Sequence, residues 1–384
     1  MKFNFKAPKN IISEPGSASR PETYSDLKLK GPVLLVTDAT LMRLGIASKV
    51  QKAIEKSGLE VRVFDKVEPE PKVSTIEKAL GFLNGNKIAT VIGLGGGSPM
   101  DIAKIIALLL KTPQAVEAVY GVDNCTGTRL PLVLIPTTAG TGSEVTHVAV
   151  VTGKDGEKSP IVDAKLISDV VLLDAELTLR LPPKVTAATG IDAMVHAMEA
   201  YTSGVKKNLI SDQLALQAFK LLYENIFDAV NNGHQHIEVR GNMLLGSMLA
   251  GLAFANATVG AVHALSYPLG TNFKIPHGES NALVMLATMK FNAKTAFPMY
   301  AEICRSVHPQ INHINNEEAS AYLFEQLEKL IPALGLYTTL KPYGITTNDL
   351  EALTDGTMKQ TRLLSYNYRQ MDREDIYKVF ESIL

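Results

Sequence analysis

Apolar residues in the first half of the chain come in short runs separated by polar, glycine-punctuated stretches. VLLVTD (33–38) ends in an acid, while ATVIGLGG (89–96) and LPLVLIPTT (130–138) run into glycines or threonines. DVVLLD (169–174) has the same form, and EVRVFDKV (60–67) alternates apolar with polar residues. Short runs of this kind predict strands, the continuous ones buried on both faces. Between them, LMRLGIASKVQKAIEKSG (41–58), VSTIEKALGFLNGN (73–86) and PMDIAKIIALLLKT (99–112) carry apolar residues at helical spacing. VTHVAVVTGKDGEKSPIVD (145–163) reads as a hairpin around GKDGEK. Strand–helix alternation predicts a parallel sheet covered by helices on both faces.

After LRLPPKVTAATG the pattern changes. Pro182 and Pro183 mark a joint, and from about 178 onward the chain shows long helical patterns with almost no strand signal. The expected architecture is α/β plus all-α, with a Rossmann-like domain over 1–178 and a helical domain over 179–384. A chain of 384 residues is too long for one core of ordinary size, which agrees with two domains. No fixed-period repeat is visible.

Composition narrows the function classes. Apolar residues make up 46% and charged residues 20%, as in a globular protein. A formal net charge of -1 gives no basic surface for nucleic acid or an anionic membrane. Cys125 and Cys304 stand far apart with no CxxC spacing, which argues against a disulfide framework and fits a reducing cytoplasm. MKFNFKAPKNIISEPGS has no apolar core run, so no signal peptide is expected. MLLGSMLAGLAFANATVGAV (243–262) is long enough to span a bilayer, but it carries Ser247, Asn256, Thr258 and several glycines. It reads as a buried helix ending at His263.

Two loops suggest a phosphate-bearing ligand. GLGGGSPMDIAK (93–104) lies between a buried strand and a helix. Ser98 suits an N-cap, Pro99 the first helical position, and Asp101 completes a capping box. Gly95, Gly96 and Gly97 let the backbone approach a phosphate at a helix N-terminus. The alternative is a plain strand–helix turn. PTTAGTGSEVT (136–146) offers Thr137, Thr138, Thr141 and Ser143 at the end of another strand. Asp38 ends the first strand, where it either caps a helix or accepts from a ribose 2′-OH, favouring NAD over NADP.

The helical half holds a stranger feature. GIDAMVHAMEAYTS (190–203) is an apolar helix that carries Asp192 and His196 on one face, four residues apart. A buried carboxylate needs a counter-charge. Of the eight histidines, His234, His236, His308 and His313 fall in polar turns, and His147 falls in the hairpin. His263 and His277 remain, in GAVHALSYPLGTNFKIPHGESNA (260–282). Each alone reads as a core or turn histidine. Together, Asp192, His196, His263 and His277 form a donor set suited to Fe²⁺ or Zn²⁺.

GIDAMVHAMEAYTS and VHALSYPLGTNFKIPHGESNA resemble the signature regions of the iron-containing (group III) alcohol dehydrogenases. GGGSPMDIAK and PTTAGTGSEVT are similar to that family's nucleotide-binding motifs, so the resemblance runs from about 30 to 285. It implies a dehydroquinate-synthase-like two-domain plan, with NAD on the first domain and a metal in the cleft between the two. It implies metal ligands at Asp192, His196, His263 and His277. Gly95, Gly96, Gly97 and Ser98 would meet the pyrophosphate, with Thr137, Thr138 and Thr141 near the cofactor. The implied activity is interconversion of a small alcohol with its aldehyde or ketone by a cytoplasmic homodimer or larger oligomer.

One position departs from the family pattern. Many members carry a histidine four residues after the first ligand of the second motif, and here that residue is Tyr267. Its unperturbed pKa of about 10 makes it a poorer proton relay near neutrality. Proton exit is open to Tyr267, to the neighbourhood of His277, or to a chain of water and ribose, and the sequence does not choose among them. Tyr201, Phe254, Tyr267, Phe273 and Tyr366 are candidates for a pocket lining, with apolar core as the alternative. The rival readings are an NAD- and metal-dependent lyase or cyclase of dehydroquinate-synthase type, and a hydroxy-acid or oxo-acid oxidoreductase of the same family. The lyase needs clustered Lys and Arg, and 180–285 is poor in them.

Overall fold

The computed structural model describes residues 3–154 and 156–384. Asp155 of the expected GKDGEK turn and the first two residues of the N-terminal stretch lie outside that description. The chain divides into two compact units, 6–180 and 181–384, and the second also takes in residues 3–5.

The first unit contains nine strands among its described residues: β1 (Asn10–Ser13), β2 (Val33–Val36), β3 (Val61–Phe64), β4 (Thr90–Gly95), β5 (Gly121–Val122), β6 (Leu132–Pro136), β7 (Val148–Thr152), β8 (Lys158–Val162) and β9 (Val170–Leu173). Its helices are α1 (Pro21–Asp26), α2 (Ala39–Arg43), α3 (Ile46–Lys56), α4 (Val73–Leu83) and α5 (Gly97–Lys111). Six strands form one parallel sheet in the order β1-β9-β6-β4-β2-β3. Alternation along each strand feeds two cores. Leu34 and Val36 pack with Ile102 and Ile106 on one face, and Val33 and Leu35 pack with Val50 and Ile54 on the other. From β3 the chain returns past β2 to β4, so the strand order switches direction between β2 and β4. Ligand crevices of open parallel sheets form at such points, beyond the carboxyl ends of the strands.

Two strands have no counterpart in the sequence reading. β1 joins the sheet edge beside β9, and the short β5 completes a second sheet, β5-β8-β7. The expected hairpin is there, with β7 and β8 antiparallel. NIIS and GV are too short to show any period, and their partners lie far along the chain.

The second unit is all helical: α6 (Pro183–Thr202), α7 (Leu209–Asn231), α8 (Ile237–Ala257), α9 (Ala261–Phe273), α10 (His277–Val307), α11 (Asn316–Ala333), α12 (Leu350–Met358), α13 (Thr361–Tyr366) and α14 (Arg373–Ser382). α6 is buried almost all round from Thr186 to Thr202, in keeping with its largely apolar sequence. It packs against α7, α8 and α10. At Gly190 a Cβ would sit 2.8 Å from Ile226, so the glycine permits the close approach of α6 to α7.

The single buried helix expected over 243–262 is two helices. α8 stops at Ala257, Thr258 takes a left-handed φ of 101°, and α9 starts at Ala261 after a 107° bend. Among the described residues, no single helix is long and apolar enough to cross a membrane. The break places His263 in the first turn of α9, not at the end of a helix. His277 likewise opens α10 and does not sit in a turn.

Candidate active site

α6 sets the frame of the helical site. Asp192 and His196 project from one face, and α9 and α10 bring His263 and His277 against it from their first turns. Oδ1 of Asp192 lies 3.7 Å from Nε2 of His196, 3.8 Å from Nε2 of His263 and 3.5 Å from Nε2 of His277. The Nε2 atoms of His196 and His263 stand 3.0 Å apart. The donor atoms of Asp192, His196 and His263 lie within 4.8 Å of one another, and His277 Nε2 stands beside Asp192 Oδ1. A tetrahedral donor set around an ion bonded at about 2.1 Å has edges of about 3.4 Å. The separations among Asp192, His196 and His263, from 3.0 to 3.8 Å, bracket that length.

The electrostatics suit a cation. Burial opposes the charge on Asp192, yet His196, His277, His263 and Asn281 together hold its carboxyl below the usual carboxylate range. Burial pushes His196 down to about 4, leaving a neutral imidazole at physiological pH. Burial opposes a charge on His263, yet Glu199 and Asp192 hold it above the ordinary imidazole value. Carboxylate and imidazole are donors that Fe²⁺ and Zn²⁺ accept, so the residues fit a dication.

Two buried neighbours were not anticipated. Asn281 Nδ2 donates to Asp192 Oδ1 at 2.6 Å, and Glu199 Oε2 lies 2.6 Å from His263 Nδ1. Glu199 follows His196 by three positions and Asp192 by seven, so the spacing i, i+4, i+7 was the available signal. Phe254 stacks on His196 with ring centroids 4.4 Å apart. The proposed pocket residue Tyr201 is mostly buried, and its hydroxyl donates to Glu302. His147, His234, His236, His308 and His313 belong to no such group among the described residues; His308, for one, meets the Tyr223 hydroxyl at 3.0 Å.

In the α/β unit the second group of expected residues gathers at the carboxyl ends of β2, β4 and β6, three neighbouring strands. α5 starts earlier than expected, with Gly96 as N-cap and Gly97 as the first helical residue. No side chain caps it, so the Ser98–Asp101 capping box does not form. Gly95 has a φ of 152°, and a Cβ there would lie 2.6 Å from the Pro99 ring. The threonine loop lies over the turn. The Cβ positions of Gly96 and Gly97 face Thr138 at 3.5 Å and Thr141 at 3.1 Å. Gly96, Gly97, Ser98, Thr138 and Thr141 are partly open to solvent.

Other residues of the same motifs work inside the unit. Thr137 is buried. Asp101 accepts from Ser143 Oγ at 2.5 Å and from the Val150 amide at 2.9 Å. Both sit on the fully buried Lys104, whose Nζ donates to Ser143 Oγ and the Val148 carbonyl at 2.7 Å each. Burial pushes the Lys104 amine down, and Asp101 pulls it back up. Asp38 caps α2, its Oδ1 accepting from the Thr40 and Leu41 amides. The capping role is thus realised, while Oδ2 takes part in neither bond.

A family profile described as iron-containing alcohol dehydrogenase matches residues 8–175. A second, the C-terminal part of the Fe-containing alcohol dehydrogenase family, matches 186–384. The chain belongs to the iron-containing alcohol dehydrogenase family. It is an oxidoreductase of that family, and the two matches meet near the division between its compact units. It is 40% identical over 379 residues to long-chain-alcohol dehydrogenase 1 of Geobacillus thermodenitrificans (strain NG80-2), covering 97% of this chain and 94% of the relative. It is 32% identical over 389 residues to the NADPH-dependent butanol dehydrogenase of Clostridium saccharobutylicum, covering 99% and 98%. Among solved structures, an alcohol dehydrogenase from Oenococcus oeni superposes with a TM-score of 0.94 at 30% identity, each chain fully covered.

In this iron-type alcohol dehydrogenase the site has one open side. The His277 side chain is 40% exposed, against 7% for His196 and 4% for His263. Tyr267, one turn after His263, lies there too, with its ring 6.0 Å from that of His277. Burial pushes the Tyr267 phenol above its ordinary pKa, with Arg362 pulling the other way. Tyr267 is therefore protonated at neutral pH, a donor and not a base.

Proposed function

We propose that the protein interconverts small alcohols with their aldehydes or ketones, passing hydride to and from NAD at a divalent metal. The observation that carries this reading is the buried group of Asp192, His196 and His263, with His277 Nε2 3.5 Å from Asp192 Oδ1. Asp192, His196, His263 and His277 would hold Fe²⁺, or Zn²⁺ in its place. When bound, the dication supplies Lewis acidity, which lowers the pKa of an alcohol oxygen or polarises a carbonyl in the reverse direction.

The chain's own groups do the rest. Asn281 keeps Asp192 Oδ1 in place. Phe254 covers the apolar flank of His196 and keeps water from it. Substrate enters past His277, and Tyr267 donates a hydrogen bond on that side. His277 serves as a ligand, and its surroundings offer the shortest route for a proton to solvent. The α/β part, expected to end near 178, would take the dinucleotide. The uncapped amides at the start of α5 receive the pyrophosphate, and Thr138 and Thr141 flank it. Asp38 Oδ2 accepts from the ribose and repels a 2′-phosphate, which favours NAD over NADP. Two buried free cysteines, Cys125 and Cys304, support a cytoplasmic setting, and the family resemblance supports a homodimer.

The test is reduction of NAD⁺ and, separately, NADP⁺ by a panel of short primary alcohols and 2-hydroxy acids, with Fe²⁺-loaded protein purified without oxygen. The expected result is turnover with alcohols, faster with NAD⁺. Turnover confined to hydroxy acids would assign the protein to a different substrate class.

A further inference from the structure

His263 depends on something outside its own helix. α9 begins at Ala261 with Gly260 as N-cap, so no side chain of its own caps it. Free first-turn amides in a buried site would be costly. Two distant residues accept from them. Glu199 Oε1 takes the Val262 amide at 2.7 Å, and Asn367 Oδ1 takes the Ala261 amide at 3.4 Å. Asn367 is itself fixed by a reciprocal amide pair with Asn292, at 3.0 and 2.7 Å. Gly260 leaves room for both, since a Cβ there would stand 3.2 Å from Asn367 Oδ1 and 3.4 Å from Glu199 Oε1.

The second oxygen of Glu199 meets His263 Nδ1 at 2.6 Å. We infer that Glu199 is the positioning residue of the metal site, its two oxygens fixing at once the start of α9 and the tautomer of His263. With Nδ1 carrying the proton for Glu199, Nε2 keeps its lone pair for the proposed metal. Both oxygens must accept for this to work. A glutamine has the same shape but one accepting oxygen, so in Glu199→Gln an NH₂ group faces either the Val262 N–H or the His263 N–H.

This inference rests on the proposed metal site, and the experiment separates the two. Wild-type protein and Glu199→Gln are stripped and titrated with Zn²⁺, and bound metal is measured beside far-UV circular dichroism. The expected outcome is a folded variant whose metal Kd is weaker by about 10- to 100-fold. A folded variant with a Kd within twofold of wild type overturns the inference and leaves the metal site standing. Absence of binding by the wild type would instead remove the site itself. Should the variant not fold, wild-type protein labelled with ¹⁵N-histidine and loaded with Zn²⁺ decides the matter. A protonated Nδ1 on His263 with a far-downfield proton is expected, and a bare Nδ1 overturns the inference.

Discussion

The helical site and the strand-end site of the α/β unit were both expected from residue types, yet they are built in opposite ways. In the proposed metal site, side chains would carry the chemistry: Asp192, His196 and His263 cluster, His277 stands beside Asp192, and the backbone serves to aim them. At the carboxyl ends of β2, β4 and β6, backbone amides and glycines form the surface. There the conspicuous side chains serve the fold. Asp38 caps α2, and Asp101 and Ser143 tie Lys104 into the interior. A metal needs particular donor atoms, so its site demands particular residues. A phosphate needs N–H groups at a helix start, which any residue but proline can supply.

That contrast can be broken from the strand-end side. Gly95→Ala places a Cβ 2.6 Å from the Pro99 ring at a φ of 152°, so the start of α5 must move. The expected loss of NAD affinity is about 100-fold by fluorescence titration, with bound metal unchanged. A matching loss of metal would mean that the two sites are not built independently.

A smaller effect sharpens the picture of the α/β unit as a scaffold. Burial pushes the Glu144 carboxyl from 4.5 up to about 7, and its Oε1 has no hydrogen-bond partner. The folded pKa exceeds the unfolded one, so the native state holds the extra proton and stability falls as pH rises from about 4.5 through about 7. Between pH 6 and 8 this group alone removes roughly 1 kcal/mol. Glu144→Gln should flatten that part of the profile in urea unfolding. An unchanged slope would place the titration elsewhere.

The cluster proposed to hold the metal was legible because Asp192 and His196 share a face at helical spacing, and because polar surroundings set four of the other histidines aside. Glu199 escaped notice because one acid in HAMEAY looks like an exposed turn of helix until Asp192, His196 and Glu199 are read as one stripe. The break between α8 and α9 was hidden by small apolar residues on both sides. Only Thr258 and Gly260 mark it, and tertiary contacts from Glu199 and Asn367 hold it. At the glycine turn the Ser98-Pro99 pair imitates a helix start, but the backbone freedom of Gly96 and Gly97 lets α5 begin earlier. The strand order was not readable, since β1 pairs with a strand some 160 residues away.

The most direct measurement is NAD⁺ reduction with a short alcohol before and after metal removal, on wild-type protein and on Asp192→Ala. Stripped wild type should lose at least about 1,000-fold in rate and recover it with one Fe²⁺ per chain. Asp192→Ala should stay inactive and metal-free while still binding NAD. Full turnover in the stripped protein, or in Asp192→Ala without bound metal, would contradict the account.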